Sequence, residues 1–333
     1  NIPLAINLAT AEILAESLRQ SQIAHLIFNP VAGQGNPAED LKLITDLLSP
    51  AMELVVHQTT PELNGKKLAR QLVAKSDSFS QTIPEVDLII ASGGDGTISA
   101  VAGELINTNI PLGIIPRGTA NAFAFALDIS NRLNPIRTAC EVILAGKVRL
   151  VDAAICNKNL PMILLAGIGL EAETIAKVDR EAKNRWGALA YIMAGIQQFN
   201  VQELFETKIE IEGVVKKFQA AAVTIANAAP ATSVMAQGSG LVIANDGLLD
   251  ITIAAPKNDI DAIASMVNLL GAALLRTPTT REDIINLQTR QIKITVNPPQ
   301  KVVIDGELIE KTDCLEVECL PSSLKIFAPD KEN

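Results

Sequence analysis

From residue 24 onward the chain alternates short apolar runs with amphipathic stretches. "AHLIF" is followed by a loop and then by "AEDLKLITDLL", whose apolar residues recur at the spacing of a helix with one buried face. "MELVV", "LARQLVAK", "VDLIIA", "TISAVAGELIN" and "LGIIP" continue the alternation to about residue 130. Such a pattern predicts βαβ units, a parallel sheet with helices on both faces. Beyond residue 149 the texture changes. "VRLVDAAIC", "KIEIEG", "VVKKFQAAAVTIAN", "LLDITIA", "QIKITV", "KVVIDG" and "DCLEVECL" are short β-type runs bounded by turn residues. They predict an antiparallel sandwich or barrel. Helical periodicity interrupts it at "EAETIAKVDREAKNRWGALAYIMAGIQQF" and "DIDAIASMVNLLGAALLR". The expected domains are 1–146 (α/β) and 147–324 (β-rich), with a short linker and a cleft between them.

The 333 residues are enough for two cores, and 48% hydrophobic with 20% charged is ordinary for a globular protein. Aromatics are only 3%, so Ile, Leu, Val and Ala must fill those cores. A net charge of −9 argues against nucleic acid as partner and against polybasic anchoring to anionic lipid. The four cysteines form no C-x-x-C pair, and His25 and His57 are the only histidines. Buried free thiols are therefore expected, without a zinc site or a histidine-based triad. "MVNLLGAALLR" is too short to span a bilayer, and the acidic, amphipathic start of the chain does not read as a signal peptide. The expected setting is cytoplasmic, at most peripheral to a membrane.

The candidate chemistry sits where strands end. "NPVAGQGN", "GGDGT" and "PRGTAN" each follow a β-type run directly, so in a parallel sheet they converge on one edge, where such sheets bind ligands. Gly93, Gly94 and Gly96 frame Asp95, and Thr97 is placed to cap the helix that follows. Free amides at a helix start attract phosphate, and a carboxylate beside them suggests a nucleotide with magnesium. The Walker A pattern is absent. Gly167-x-Gly169-x-x-Ala172 imitates a dinucleotide fingerprint, but no second strand ending in an acid follows it. Asp305-Gly306 reads as a hairpin turn, and Asp246-Gly247 reads similarly. Lys177, Arg180, Lys183 and Arg185 precede Trp186 and Tyr191, either a solvated helix or a basic, aromatic membrane contact.

Taken together these residues resemble the diacylglycerol kinase catalytic family, in particular the soluble bacterial lipid kinases related to sphingosine kinases. Five ordered motifs carry the resemblance: Asn29-Pro30 with Gly33; Gly93 to Thr97; Pro116, Gly118, Thr119 and Asn121; Asp246-Gly247-x-Leu249; and Asp305-Gly306-Glu307. It covers nearly the whole chain beyond residue 24. It implies an α/β nucleotide domain and a C-terminal β-sandwich domain that takes the lipid, with ATP in the cleft. The tail, 325–333, would pack back on the first domain. ATP would lie against Asn29, Gly33, Thr59, Thr60, the Gly93–Thr97 loop, Gly118, Thr119 and Asn121. Asp95 would face its phosphates through Mg²⁺, Glu307 would be the base, and Asp305 would stand beside it. Asp246 and the carbonyls of Ile243 and Leu248 would hold a second, structural divalent ion. The implied partner is a lipid, diacylglycerol first among the candidates, at a membrane surface; a homodimer stays open. Gln34 stands where many relatives carry a basic residue, and Ala122 where bacterial diacylglycerol kinases usually carry Asp. Two alternatives stand beside this reading: an NAD kinase-like enzyme, and a non-catalytic lipid-binding relative.

Overall fold

The structure is a computed structural model. It describes residues 22–76, 86–131, 133–169, 204–230 and 233–330, apart from 237, 239, 258–260, 262–263, 266–267, 270–276 and 280. The basic cluster from Lys177 to Tyr191 and most of the "DIDAIASMVNLLGAALLR" stretch lie outside the described residues.

The first half alternates as its periodicity predicts: β1 (Ile23–Phe28), α1 (Pro37–Leu48), β2 (Glu53–Gln58), α2 (Gly65–Ser76), β3 (Leu88–Gly93), α3 (Asp95–Leu105) and β4 (Leu112–Pro116). A single helical turn, α4 (Ala122–Ala126), and α5 (Pro135–Leu144) follow. The strands are parallel in the order β2-β1-β3-β4. β3 and β4 are buried along their whole length because helices cover both faces, whereas β2 is half-exposed at the edge. α1 is delimited locally. Asn36 caps it by accepting the Ala38 N–H, Pro37 opens it, and Glu39 and Asp40 lie in its first turn, where the helix dipole favours acids.

The second half is antiparallel. β5 (Val148–Cys156), β6 (Leu160–Met162), β7 (Leu165–Gly169), β8 (Phe205–Ile211), β9 (Val214–Ala220) and β10 (Ala222–Ala226) come first. β11 (Leu249–Ala254), β12 (Ile284–Thr289), β13 (Gln291–Ile304) and the 21-residue β14 (Glu307–Phe327) complete it. The "VVKKFQAAAVTIAN" run is thus two strands: β9 pairs with β8, and β10 pairs with β7 and β11. Ile168, Val223, Ile225, Ile251, Ile294 and Val317 belong to a core separate from that of the first domain.

β14 joins the two halves. Its start pairs with β13 across the Asp305-Gly306 turn, while its end pairs with β5 and meets β4 in parallel at Ile326 and Leu112. Leu324, Ile326, Phe327 and Ala328 are buried in the first domain's core.

Two local expectations fail. Asp246-Gly247 is not a hairpin turn, because no strand precedes it. The Asp152 carboxylate on β5 takes the Gly247 N–H at 2.7 Å, and the Asp152 N–H donates to Ala244 O at 2.8 Å. The loop is therefore docked on β5 instead of folding back along β11. Thr97 is not a helix cap either. Gly94 is already extended at the N-cap position, so Thr97 falls inside the first turn.

Candidate active site

The three glycine-rich loops meet at the carboxyl ends of β1, β3 and β4. The Asn29 N–H donates to Ser92 O at 2.9 Å, and the Arg117 N–H donates to Gly93 O at 2.7 Å. Asn29 Nδ2 reaches Thr97 Oγ1 at 2.8 Å, so the hydroxyl expected to cap a helix instead ties the first loop to the second. The second and third loops touch backbone to backbone. A β-carbon on Gly118 would stand 2.7 Å from Gly94 Cα, closer than real contacts allow. Asn121, nearly buried and in the left-handed region at φ 49°, holds Gly118 from both sides. Its Oδ1 accepts the Gly118 N–H at 2.7 Å and its Nδ2 donates to Gly118 O at 2.9 Å.

α3 begins at this junction with no side chain capping it, and a β-carbon on Gly96 would meet nothing within 4 Å. An uncapped helix start opening on free space is a fit for phosphate. The Asp95 carboxyl leans across to the first residues of α4, where Oδ1 accepts the Phe123 N–H at 3.2 Å. Burial raises its pKa, and the amides of Phe123, Ala122 and Asn121 pull it back only in part. No group of three or more His, Cys, Asp or Glu side chains gathers among the described residues. Mg²⁺ at Asp95 would thus draw the rest of its oxygen shell from phosphate and water, its usual manner of binding.

The remaining expected residues occupy distinct places. Gly33, at φ 85°, rests against the third loop; a β-carbon there would come 2.6 Å from Arg117 O. Thr59 donates its N–H to Phe28 O at 2.9 Å beside the first loop. The Thr60 hydroxyl donates to Glu62 and accepts the Leu63 N–H, which shapes the start of the next loop. Thr119 is exposed on the third loop. Ile243 and Asp246 are exposed before β11, and Asp246 Oδ1 accepts the Leu248 N–H at 3.0 Å.

Asp305 and Glu307 part company. The Asp305 carboxylate turns inward and accepts the N–H groups of Ile163 and Leu164, both at 2.8 Å, and of Leu165 at 3.1 Å. Burial pushes its pKa up to about 6, and those amides lower it only in part. Asp305 therefore anchors the hairpin turn to the β6–β7 connection, and does not stand free beside Glu307. Glu307, the first residue of β14, is exposed.

Two residues not singled out in the motifs prove central. Arg117, 6% exposed, lies within the third loop, and Asp152, 1% exposed, holds the N–H groups of Gly247 and Ser322 at 2.7 Å each. The available signal was weak: an arginine beside glycine, and an aspartate inside an apolar strand.

The diacylglycerol kinase catalytic domain profile matches residues 23–156, and the YegS C-terminal NAD kinase beta sandwich-like domain profile matches 165–328. A diacylglycerol kinase of Bacillus subtilis is 30% identical over 85% of this chain and 89% of its own. The chain belongs to the diacylglycerol kinase family. An uncharacterised Synechocystis protein is 50% identical over 99% of this chain and 75% of its own. A solved Bacillus anthracis structure, described as a candidate diacylglycerol kinase, superposes with a TM-score of 0.76 at 27% identity, covering 93% of this chain and 97% of that one. Yeast NADH kinase, at 13% identity and a TM-score of 0.51, shares the fold. No helix among the described residues is long and apolar enough to cross a membrane.

Proposed function

We propose that this kinase-family chain transfers the γ-phosphoryl group of ATP to a lipid hydroxyl, and that the lipid is diacylglycerol, yielding phosphatidic acid. The observation that carries the proposal is the junction of Gly94 with Gly118 beneath the uncapped start of α3, within a chain of this family. The amides of Gly93, Gly94 and Gly96 hold the phosphates, with Asn29, Gly33, Gly118 and Asn121 fixing the loops around them. Thr59, Thr60 and Thr119 border the nucleotide. Asp95 is the ligand for Mg²⁺, which when bound neutralises phosphate charge that would otherwise repel the incoming hydroxyl.

Glu307 takes the proton of the acceptor hydroxyl as that oxygen bonds to the γ-phosphorus and the bridging β–γ bond breaks, releasing ADP. The Asp305 anchor holds the turn that aims Glu307. Asp246, with the carbonyls of Ile243 and Leu248, is assigned a structural divalent ion; a carboxylate and carbonyl oxygens suit a hard cation. The chain works at a membrane surface as a peripheral protein.

The test is purified protein with γ-labelled ATP and Mg²⁺, offered diacylglycerol, monoacylglycerol, ceramide, sphingosine, undecaprenol and NAD. Labelled phosphatidic acid is the expected product. Label in another lipid overturns the diacylglycerol assignment, and label in NAD alone overturns lipid as the acceptor. ATP binding without transfer to any acceptor makes the chain a non-catalytic relative.

A further inference from the structure

Arg117 makes more contacts within the junction than any of the glycines can. Its Nε donates to Asp40 Oδ2 in the first turn of α1 at 2.8 Å, and its Nη1 donates to Asn29 O at 2.8 Å. Its guanidinium carbon lies 4.2 Å from the centre of the Phe28 ring. Its backbone N–H holds Gly93 O, and its carbonyl is the group against which Gly33 closes. One residue of the third loop thus grips the first loop at both Asn29 and Gly33 and the second loop at Gly93.

The side chain is only 2% exposed, and its Nη2 has no partner among the described residues. Burying a guanidinium carries a large desolvation penalty, and an apolar side chain against Phe28 would serve stability as well or better. What an apolar side chain cannot do is fix the direction of the Asn29 carbonyl relative to Asp40 and α1.

We infer that Arg117, paired with Asp40, is a positioning residue for the nucleotide: it sets the spacing of the first loop over the second and third, and so the affinity for ATP. The inference rests on the kinase reading and adds to it a residue that acts through the loops without touching the nucleotide itself. Because the pin lies in the first domain, it acts on ATP and leaves the lipid acceptor alone. A small misplacement of binding groups costs a large factor in affinity or rate.

The experiment compares full-length wild type with Arg117→Met, Arg117→Lys and Asp40→Asn. It reads Mg²⁺–ATP binding, KM for ATP, KM for the lipid, kcat and Tm. Arg117→Met is expected to weaken ATP binding and raise its KM about tenfold or more, with lipid KM and kcat at saturating ATP within about twofold. Arg117→Lys should recover part of the loss, since an ammonium keeps Asp40 but cannot also hold Asn29 O and stack on Phe28. Asp40→Asn should shift ATP affinity in the same direction by a smaller factor. ATP affinity within about twofold of wild type in Arg117→Met overturns the inference. So do a lipid KM that rises as much as that for ATP, and a defect that vanishes at temperatures where the variant is fully folded. If Arg117→Met does not fold, Asp40→Asn decides, and unchanged ATP affinity there overturns it. Wild type that binds no ATP at all defeats the kinase reading itself, which separates that failure from a failure of the pin.

Discussion

Gly118 lies so close to Gly94 that a β-carbon on it would come within 2.7 Å of the Gly94 α-carbon and 3.0 Å of Asn121 Oδ1. The first obstacle is backbone and cannot rotate away, so Gly118→Ala must separate the second and third loops. The expected stability cost is about 1–3 kcal/mol, measured by denaturant unfolding. ATP affinity should fall at least about tenfold. A variant that binds ATP as wild type does would show that the contact is packing alone.

Asp95→Asn tests the carboxylate without emptying its place. The amide oxygen can still accept the Phe123 N–H, so Tm should change little. Turnover should fall by at least about a hundredfold, because the proposed Mg²⁺ ligand loses its charge. Burial raises the Asp95 pKa of the metal-free protein, so its affinity for Mg²⁺ should decline with acid at a pH above the ordinary carboxylate range. Near-normal turnover in the variant would remove Asp95 from the chemistry.

The two carboxylates of the last motif should separate cleanly. Glu307→Gln, at an exposed position, should leave Tm in place and lower kcat by roughly 10²- to 10⁴-fold. Asp305→Ala strands three amides that now donate to its carboxylate. Each buried donor left unmade costs about 1–3 kcal/mol, so this variant should show its damage first in Tm. Unchanged kcat in Glu307→Gln would assign the base elsewhere.

The histidine pair gives a pH signature. His25 Nδ1 and His57 Nε2 are 2.9 Å apart across β1 and β2, with the rings stacked at 5.2 Å. Burial, then His57 and Lys75, lower the His25 pKa to about 4, with Asp87 opposing, and burial and Lys75 lower that of His57. Between that value and the unfolded one near 6.5, the unfolded chain binds more protons. The pair's contribution is therefore complete above about 6.5 and is lost as pH falls towards 4. The Asp305 carboxyl, raised to about 6, works with the opposite sign over part of the same window. Comparison with His25→Leu cancels the Asp305 contribution. From about pH 7.5 to about pH 5, wild type should lose more Tm than His25→Leu. Parallel Tm profiles would refute the assignment.

Much of this molecule is determined by its sequence alone. The alternation up to "LGIIP" and the turn-bounded β runs after it specify a parallel sheet followed by antiparallel strands, because side-chain period and burial are local properties. Glycine and asparagine after three parallel strands mark the loops of the candidate site for the same reason. Asp305-Gly306 reads correctly as a hairpin because its φ angles, 49° and 86°, are what those residues favour.

Tertiary structure decides what distant partners do to local preferences. Asp246-Gly247 carries the same dipeptide signal, yet its amide is claimed by Asp152, 95 residues earlier in the chain. Thr97 has cap chemistry but serves Asn29, and Asp305 has the look of a catalytic neighbour but is drawn inward by three amides. Arg117 depends on Asp40 and Asn29, 77 and 88 residues away, contacts that no local pattern encodes. Hydrophobic periodicity is written within a few residues, whereas a buried charge finds its partner only when the chain closes around it.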